Sequence, residues 1–267
     1  MTQFNELNLE SVRVPSFQER IEKLNHMIAD ARRIVFFTGA GISTGSGIPD
    51  FRSANGLYTT SNEDNPEYML SHTCLQMEPE RFFQYLRNHM DFRGYEPNIA
   101  HQKISELQRT RTVSVITQNI DGLHEKAGSK VIDAIHGTMN KFYCDGCFHD
   151  LYEPEDVLDG NFDNIDGIPK CPLCGGEYAI RPDITLYGEN LPGNAWMNAI
   201  QHAGAAEVMI VVGTSLTVSP ASSIPHCFGD YKNLIIINRD PTPLDDEAGL
   251  VFHEDICEVF ERMIIPE

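Results

Sequence analysis

RIVFFTGAGISTGSGIPDFR, from Arg33 to Arg52, passes from apolar to small to polar residues. Residues 34–37 predict a buried strand, and Gly39, Ala40, Gly41, Ser43, Thr44, Gly45, Ser46 and Gly47 predict a tight turn into a helix start before the Pro49-Asp50-Phe51-Arg52 exit. Glycines without a Cβ let backbone approach a ligand, and the free N–H groups of a helix N-terminus favour an anion such as a pyrophosphate. The expectation is a nucleotide site.

The dinucleotide fingerprint is matched only in part. Gly39 and Gly41 satisfy G-x-G, but Thr44 holds the third glycine position. About twenty residues on, where a dehydrogenase carries an acidic residue for the ribose, the chain has a polar loop, residues 59–66, and Asp64 fits that role poorly. Taken alone, such a turn is equally a plain strand-to-helix connection.

The length of 267 residues suits one large domain with a smaller insert. Acidic residues number 39 against 20 basic ones, giving −19, which disfavours nucleic acid and anionic membranes, attracts a lysine-rich partner and equally serves solubility. No apolar run reaches the roughly eighteen residues of a membrane span, and the polar start MTQFNELNLE has no basic and apolar leader. The expected location is the cytoplasm. No motif speaks to oligomeric state.

Helical spacing predicts a helix over residues 17–31, with further helices at 80–90, 98–107, 194–202 and 255–263. Between them, residues 112–117, 131–135, 207–212 and 234–237 read as strands. Residues 53–67, rich in turn formers, are a candidate lid or a plain surface loop. In open α/β sheets ligands gather at the carboxyl ends of strands. Three polar clusters stand there: Gln118-Asn119-Ile120-Asp121, Gly213-Thr214-Ser215 and Asn238-Arg239-Asp240. Asn119 and Asp121 also suit a helix cap. His136, just past a strand end, is the best candidate general base, although a single histidine is more often structural.

Cys144 and Cys147 form one close pair and Cys171 and Cys174 another, each with a glycine near its knuckle. Four thiolates can close a tetrahedral shell around zinc, leaving no open position, so the metal is expected to be structural. His149 is then not a ligand. Cys74, Cys227 and Cys257 read as ordinary thiols. Residues 156–167 superficially suggest a calcium loop, but Asn164 stands where glycine is needed and Lys170 where the closing glutamate belongs, so a solvated acidic loop is expected.

These segments together resemble the sirtuins, the NAD-dependent protein lysine deacylases. GAGISTGSGIPDFR, TQNIDGLH, the His136-Gly137 pair, the two CxxC pairs, GTSLTVSP and Asn238 occur in that family's order, over about residues 33–256. The resemblance implies an α/β fold: a Rossmann-like doubly wound parallel sheet, residues 1–138 and 183–267, with an inserted small zinc ribbon, residues 139–182. It implies NAD as co-substrate, held by Gly39, Ala40, Gly41, Thr44, Asp50, Phe51, Arg52, Gln118, Asn119, Ile120, Asp121, His136, Gly213, Thr214, Ser215, Asn238, Arg239, Asp255 and Ile256.

In the mechanism the resemblance implies, the acyl-lysine carbonyl oxygen attacks the ribose carbon bearing nicotinamide. Asn119 and Asp121 assist at the carboxamide, and His136 helps deprotonate the ribose hydroxyl that takes over the acyl group. Water completes release of free lysine and acylated ADP-ribose. An acyl-lysine protein or peptide is expected to thread between residues 184–188 and 216–218, adding a strand there and touching Thr185, Tyr187, Gly188 and Val218. Desuccinylating relatives place a Tyr-x-x-Arg pair where this chain aligns Phe83 and Leu86, so acetyl and other uncharged acyl groups are expected over succinyl. The alternative within the same chemistry is an NAD-dependent ADP-ribosyltransferase; a zinc-ribbon interaction module is disfavoured by His136, Asn119 and Asp121.

Overall fold

The computed structural model describes residues 15–50, 56, 65–149, 152–164, 166–175 and 180–267. β1 (Arg33–Thr38), β2 (Thr112–Thr117), β6 (Val208–Val212) and β7 (Leu234–Ile237) are the apolar runs, buried throughout except at the first residue of β1 and of β2. Two three-residue strands, β3 (Ile132–Ala134) and β8 (Leu250–Phe252), complete an all-parallel sheet of order β3-β2-β1-β6-β7-β8. Strands apolar on both faces belong to sheets covered on both sides.

Successive side chains point to opposite faces, and each face has its own core. Ile34 and Phe36 pack with α1 (Phe17–Asp30), α5 (Ile99–Leu107) and α10 (Ile256–Glu261), whereas Val35 and Phe37 pack with α8 (Gly193–Ala205) and α9 (Ile224–Phe228). From β1 the chain steps outward to β2 and β3, and from β6 it steps the other way to β7 and β8. The order therefore reverses between β1 and β6, the place where such sheets bind ligands.

β4 (Gly137–Cys144) and β5 (Ile180–Ile184) pair antiparallel in a separate two-stranded sheet. Its apolar side shares a core with α2 (Pro66–Met69), α3 (His72–Met77), α4 (Pro79–His89) and α7 (Pro154–Leu158), through Met69, Phe82, Phe83, Leu86, Phe142 and Ile180.

Two expectations are corrected here. The helix start after β1 is a 3-10 helix, Ala40–Ser46, ended by Gly47 in the left-handed region at φ +92°. The Asn98 side chain holds it there by donating to the Ile42 carbonyl at 2.7 Å and the Ser46 hydroxyl at 3.1 Å. The acidic stretch 156–167 is not simply solvated: α7 buries Val157 and Leu158, and Arg93 and Arg87 reach Asp159 and Asp163, each at 2.7 Å. Residues 1–14, 51–55 and 57–64, which take in Phe51, Arg52, Asp64 and most of the candidate lid, lie outside the described residues. Among the described residues no helix is long and apolar enough to cross a membrane.

Candidate active site

The carboxyl ends of β1, β2, β6 and β7 open into a cleft of about 900 Å³. Its floor is two loops in backbone contact. Gly41 N–H donates to the Gly213 carbonyl at 2.8 Å, and Gly39 N–H donates to the Val212 carbonyl at 3.0 Å. A Cβ on Gly41 would stand 2.7 Å from Gly213 Cα, and one on Gly213, whose φ is +64°, would stand 2.3 Å from Ile42 N. These glycines are thus demanded first by loop-on-loop packing, before any ligand is considered. Thr44, in the third fingerprint position, turns its hydroxyl back to the Gly41 carbonyl at 2.9 Å.

The polar cluster Gln118–Asp121 reaches across to this floor. Asn119 Nδ2 donates to the Gly39 carbonyl at 3.1 Å and to Ser43 Oγ at 3.2 Å, and Ser43 Oγ donates to Asp121 Oδ2 at 2.6 Å. The other oxygen of Asp121 accepts the Leu123 N–H at 2.9 Å, so one carboxylate both holds the turn into α6 (Leu123–Lys126) and joins the cleft network. Burial pushes the Asp121 carboxyl up, and the Ser43 and Leu123 hydrogen bonds oppose it. Ser43 is the hub that sequence reasoning missed: among so many small residues it reads as turn material. Gln118 Nε2 ties this cluster to the Gly213 floor loop through Thr214 Oγ1 at 3.1 Å.

His136 lies between β3 and β4 and faces the same cleft. Its Nδ1 is 2.9 Å from the Gln118 carbonyl. A carbonyl only accepts, so Nδ1 carries the proton and Nε2 keeps its lone pair. Burial lowers the imidazole below its ordinary range, outweighing the Gln118 hydrogen bond that raises it, and so favours the neutral ring at pH 7. That is the protonation state a general base needs.

The remaining expected residues come together around the same space. Ala40, Asp50, Ile120, Ser215, Asn238, Arg239, Asp255 and Ile256 line it, as do Thr185, Tyr187, Gly188 and Val218. His253 Nδ1 donates to the Asn238 carbonyl at 2.7 Å, and Asp255 caps α10 by accepting the Glu258 N–H at 3.1 Å. Phe83 and Leu86 are buried in the second core and away from the cleft, while Arg87 is spent on Asp163 and the Val157 and Gly167 carbonyls.

At the far end of β4 the four cysteines converge. All four sulfurs lie within 4.8 Å of one another, with Cys144 to Cys174 and Cys147 to Cys171 each 3.7 Å. A zinc tetrahedron with bonds near 2.3 Å has edges of about 3.8 Å, so the cluster fits that ion with no position left for substrate. The Gly146 N–H points at Cys144 Sγ at 3.3 Å, and the Tyr152 hydroxyl lies 2.9 Å from Cys171 Sγ, contacts that stabilise thiolates. His149 stacks edge-on against Tyr152 and is not in the cluster.

A nucleotide-sized cleft at the reversal of a doubly wound sheet, faced by a neutral histidine and backed by a four-cysteine metal module, defines a nucleotide-dependent enzyme with a structural metal. Residues 39–220 match the Sir2 family. The chain is 45% identical over 248 residues to an NAD-dependent protein deacetylase of Staphylococcus aureus strain N315, covering 91% of this chain and 98% of that protein. It is 43% identical to one of Staphylococcus epidermidis, covering 91% and 96%. Among solved structures, a Sir2 variant with a deacetylated p53 peptide and 3'-O-acetyl ADP-ribose matches at TM-score 0.82 and 35% identity, covering 91% of this chain and 96% of that one. A Sir2 complex with a p53 peptide and NAD+ matches at TM-score 0.79 and 35% identity, with the same coverage. The chain belongs to the Sir2 family.

Proposed function

We propose that this chain is an NAD-dependent protein lysine deacetylase that moves the acyl group from lysine to ADP-ribose and releases nicotinamide. The observation that carries this is His136, neutral and with Nε2 free, facing the same cleft as the Asn119–Ser43–Asp121 network. NAD, when bound, supplies a glycosidic bond to nicotinamide and a ribose able to accept the acyl group. The chain's residues do the rest. Asn119 and Asp121 are the polar groups proposed to assist at the nicotinamide carboxamide, and His136 takes the proton of a ribose hydroxyl at Nε2. The deacetylase names of the relatives, and the acetylated ADP-ribose beside a deacetylated peptide in a related structure, favour acyl transfer over ADP-ribosyl transfer to protein.

The peptide is proposed to lie between residues 184–188 and 216–218, touching Thr185, Tyr187, Gly188 and Val218. A neutral acyl group suits the cleft, because α4 brings Asn88 and His89 to it while Arg87 is turned away to Asp163. The division into residues 1–138 with 183–267 and the insert 139–182 belongs to the same proposal, as does a cytosolic location, where thiolates stay reduced for metal. The test is a lysine-peptide assay with and without NAD. Acetyl-lysine peptide is expected to be deacylated only with NAD and faster than its succinyl counterpart, and His136→Ala to slow the reaction by about 10²- to 10⁴-fold. Undiminished turnover in that variant would refute the base assignment.

A further inference from the structure

Residues 185–188, the proposed peptide-binding segment, are not part of a strand; side chains hold them in place. Arg181, 3% exposed, donates from both terminal nitrogens to Glu189, at 2.6 and 2.8 Å. The same Arg181 reaches the Ile184 carbonyl at 3.2 Å, so it grips the segment before and after its bend. Glu189 accepts the Leu186 N–H at 2.9 Å and faces His72 Nδ1 at 3.1 Å. Burial works against the Glu189 carboxylate, yet Arg181 and the Leu186 N–H hold it below the usual range. Backbone bonds finish the frame: Tyr187 N–H to the Leu70 carbonyl, His72 N–H to the Tyr187 carbonyl, and Thr185 N–H to the carbonyl of His136.

Arg181 also belongs to the small sheet. It pairs with Tyr143 next to Cys144, and its guanidinium lies over the Tyr143 ring at 5.6 Å. One buried side chain therefore links the strand that bears a zinc ligand to the cleft segment beside the candidate base. We infer that Arg181 and Glu189 are positioning residues that set the cleft segment 185–188 in the conformation that receives the acyl-lysine peptide. This rests on the deacetylase proposal above. Neither residue need touch reacting atoms. Bidentate guanidinium–carboxylate pairs fix geometry as well as adding energy, and this one fixes two backbone groups at once, the Ile184 carbonyl and the Leu186 N–H.

The experiment measures KM for acetyl-lysine peptide and for NAD, together with Tm, in the full chain and in three variants. Glu189→Gln keeps volume but loses the charge, Arg181→Lys keeps charge but loses the fork, and a double variant, Arg181→Met with Glu189→Met, removes the buried guanidinium and its half-buried partner together. Replacing both members of a buried ion pair by apolar residues restores stability that breaking one member costs. The expected result is peptide KM raised by about tenfold or more in all three, the equivalent of one charge-assisted hydrogen bond, with NAD KM within about twofold and the Tm of the double variant above those of the singles. Unchanged peptide KM, equal rises in both KM values, or failure of Glu189→Gln to fold would overturn the positioning role. A wild-type chain without NAD-dependent deacylation would instead refute the deacetylase proposal itself.

Discussion

His136 and Asp121 show how one cause, burial, acts in opposite directions on a base and an acid. Losing solvent lowers the imidazole and raises the carboxyl, because in each case the charged form is the one penalised. For His136 the consequence is a pH profile. Its folded pKa lies below the ordinary 6.5, so the neutral base persists into mild acid and is lost only as pH falls through that lowered value. The acid limb of kcat/KM for acetyl peptide is expected to be centred below pH 6.5; a limb centred above pH 7 would contradict the assignment. At this scale the sequence shows His136, Asn119 and Asp121 because polar side chains at a strand end are conspicuous. Ser43 is hidden, since its partner Asp121 is 78 positions away and nothing local marks its hydroxyl.

Elements were legible in proportion to their burial. β1, β2, β6 and β7 are unbroken apolar runs, and α1 and α5 show clean helical spacing, so each was expected within a residue or two. β3 falls inside the expected strand 131–135, whereas β8 has three residues, too few for any period, and β5 carries a proline that argues against a strand on sequence grounds alone. The short helices α2, α3, α7 and α9 are fixed by packing rather than by pattern. The zinc knuckles were legible from spacing, because a metal needs fixed ligand geometry. Chelating the zinc is expected to lower Tm and to cost activity through lost structure, with both recovering when zinc is restored. A chelated, zinc-free protein retaining its Tm and full turnover would contradict a structural site.

For the whole molecule, the sequence conveyed the doubly wound architecture but not how the smaller unit is assembled. Its core draws on residues 69–90 as well as 139–186, two stretches that meet only in the folded chain. The cleft lies where this unit faces the reversal point of the large sheet, with Leu70, Asn88 and Leu186 on one side and Gly39, Gly213 and Asn238 on the other. The excess of acid, −19 overall, suits a lysine-bearing partner better than nucleic acid. The first stretch, Arg33 to Thr44, departs from the dehydrogenase fingerprint because Thr44 braces a 3-10 turn, and the site it helps to build is proposed to break NAD rather than to exchange hydride with it. Mass spectrometry of the nucleotide formed from NAD and an acetyl-lysine peptide tests that claim most directly. Acetylated ADP-ribose in equal amount to free lysine and nicotinamide is the predicted result; ADP-ribose attached to protein, with the lysine still acetylated, would contradict it.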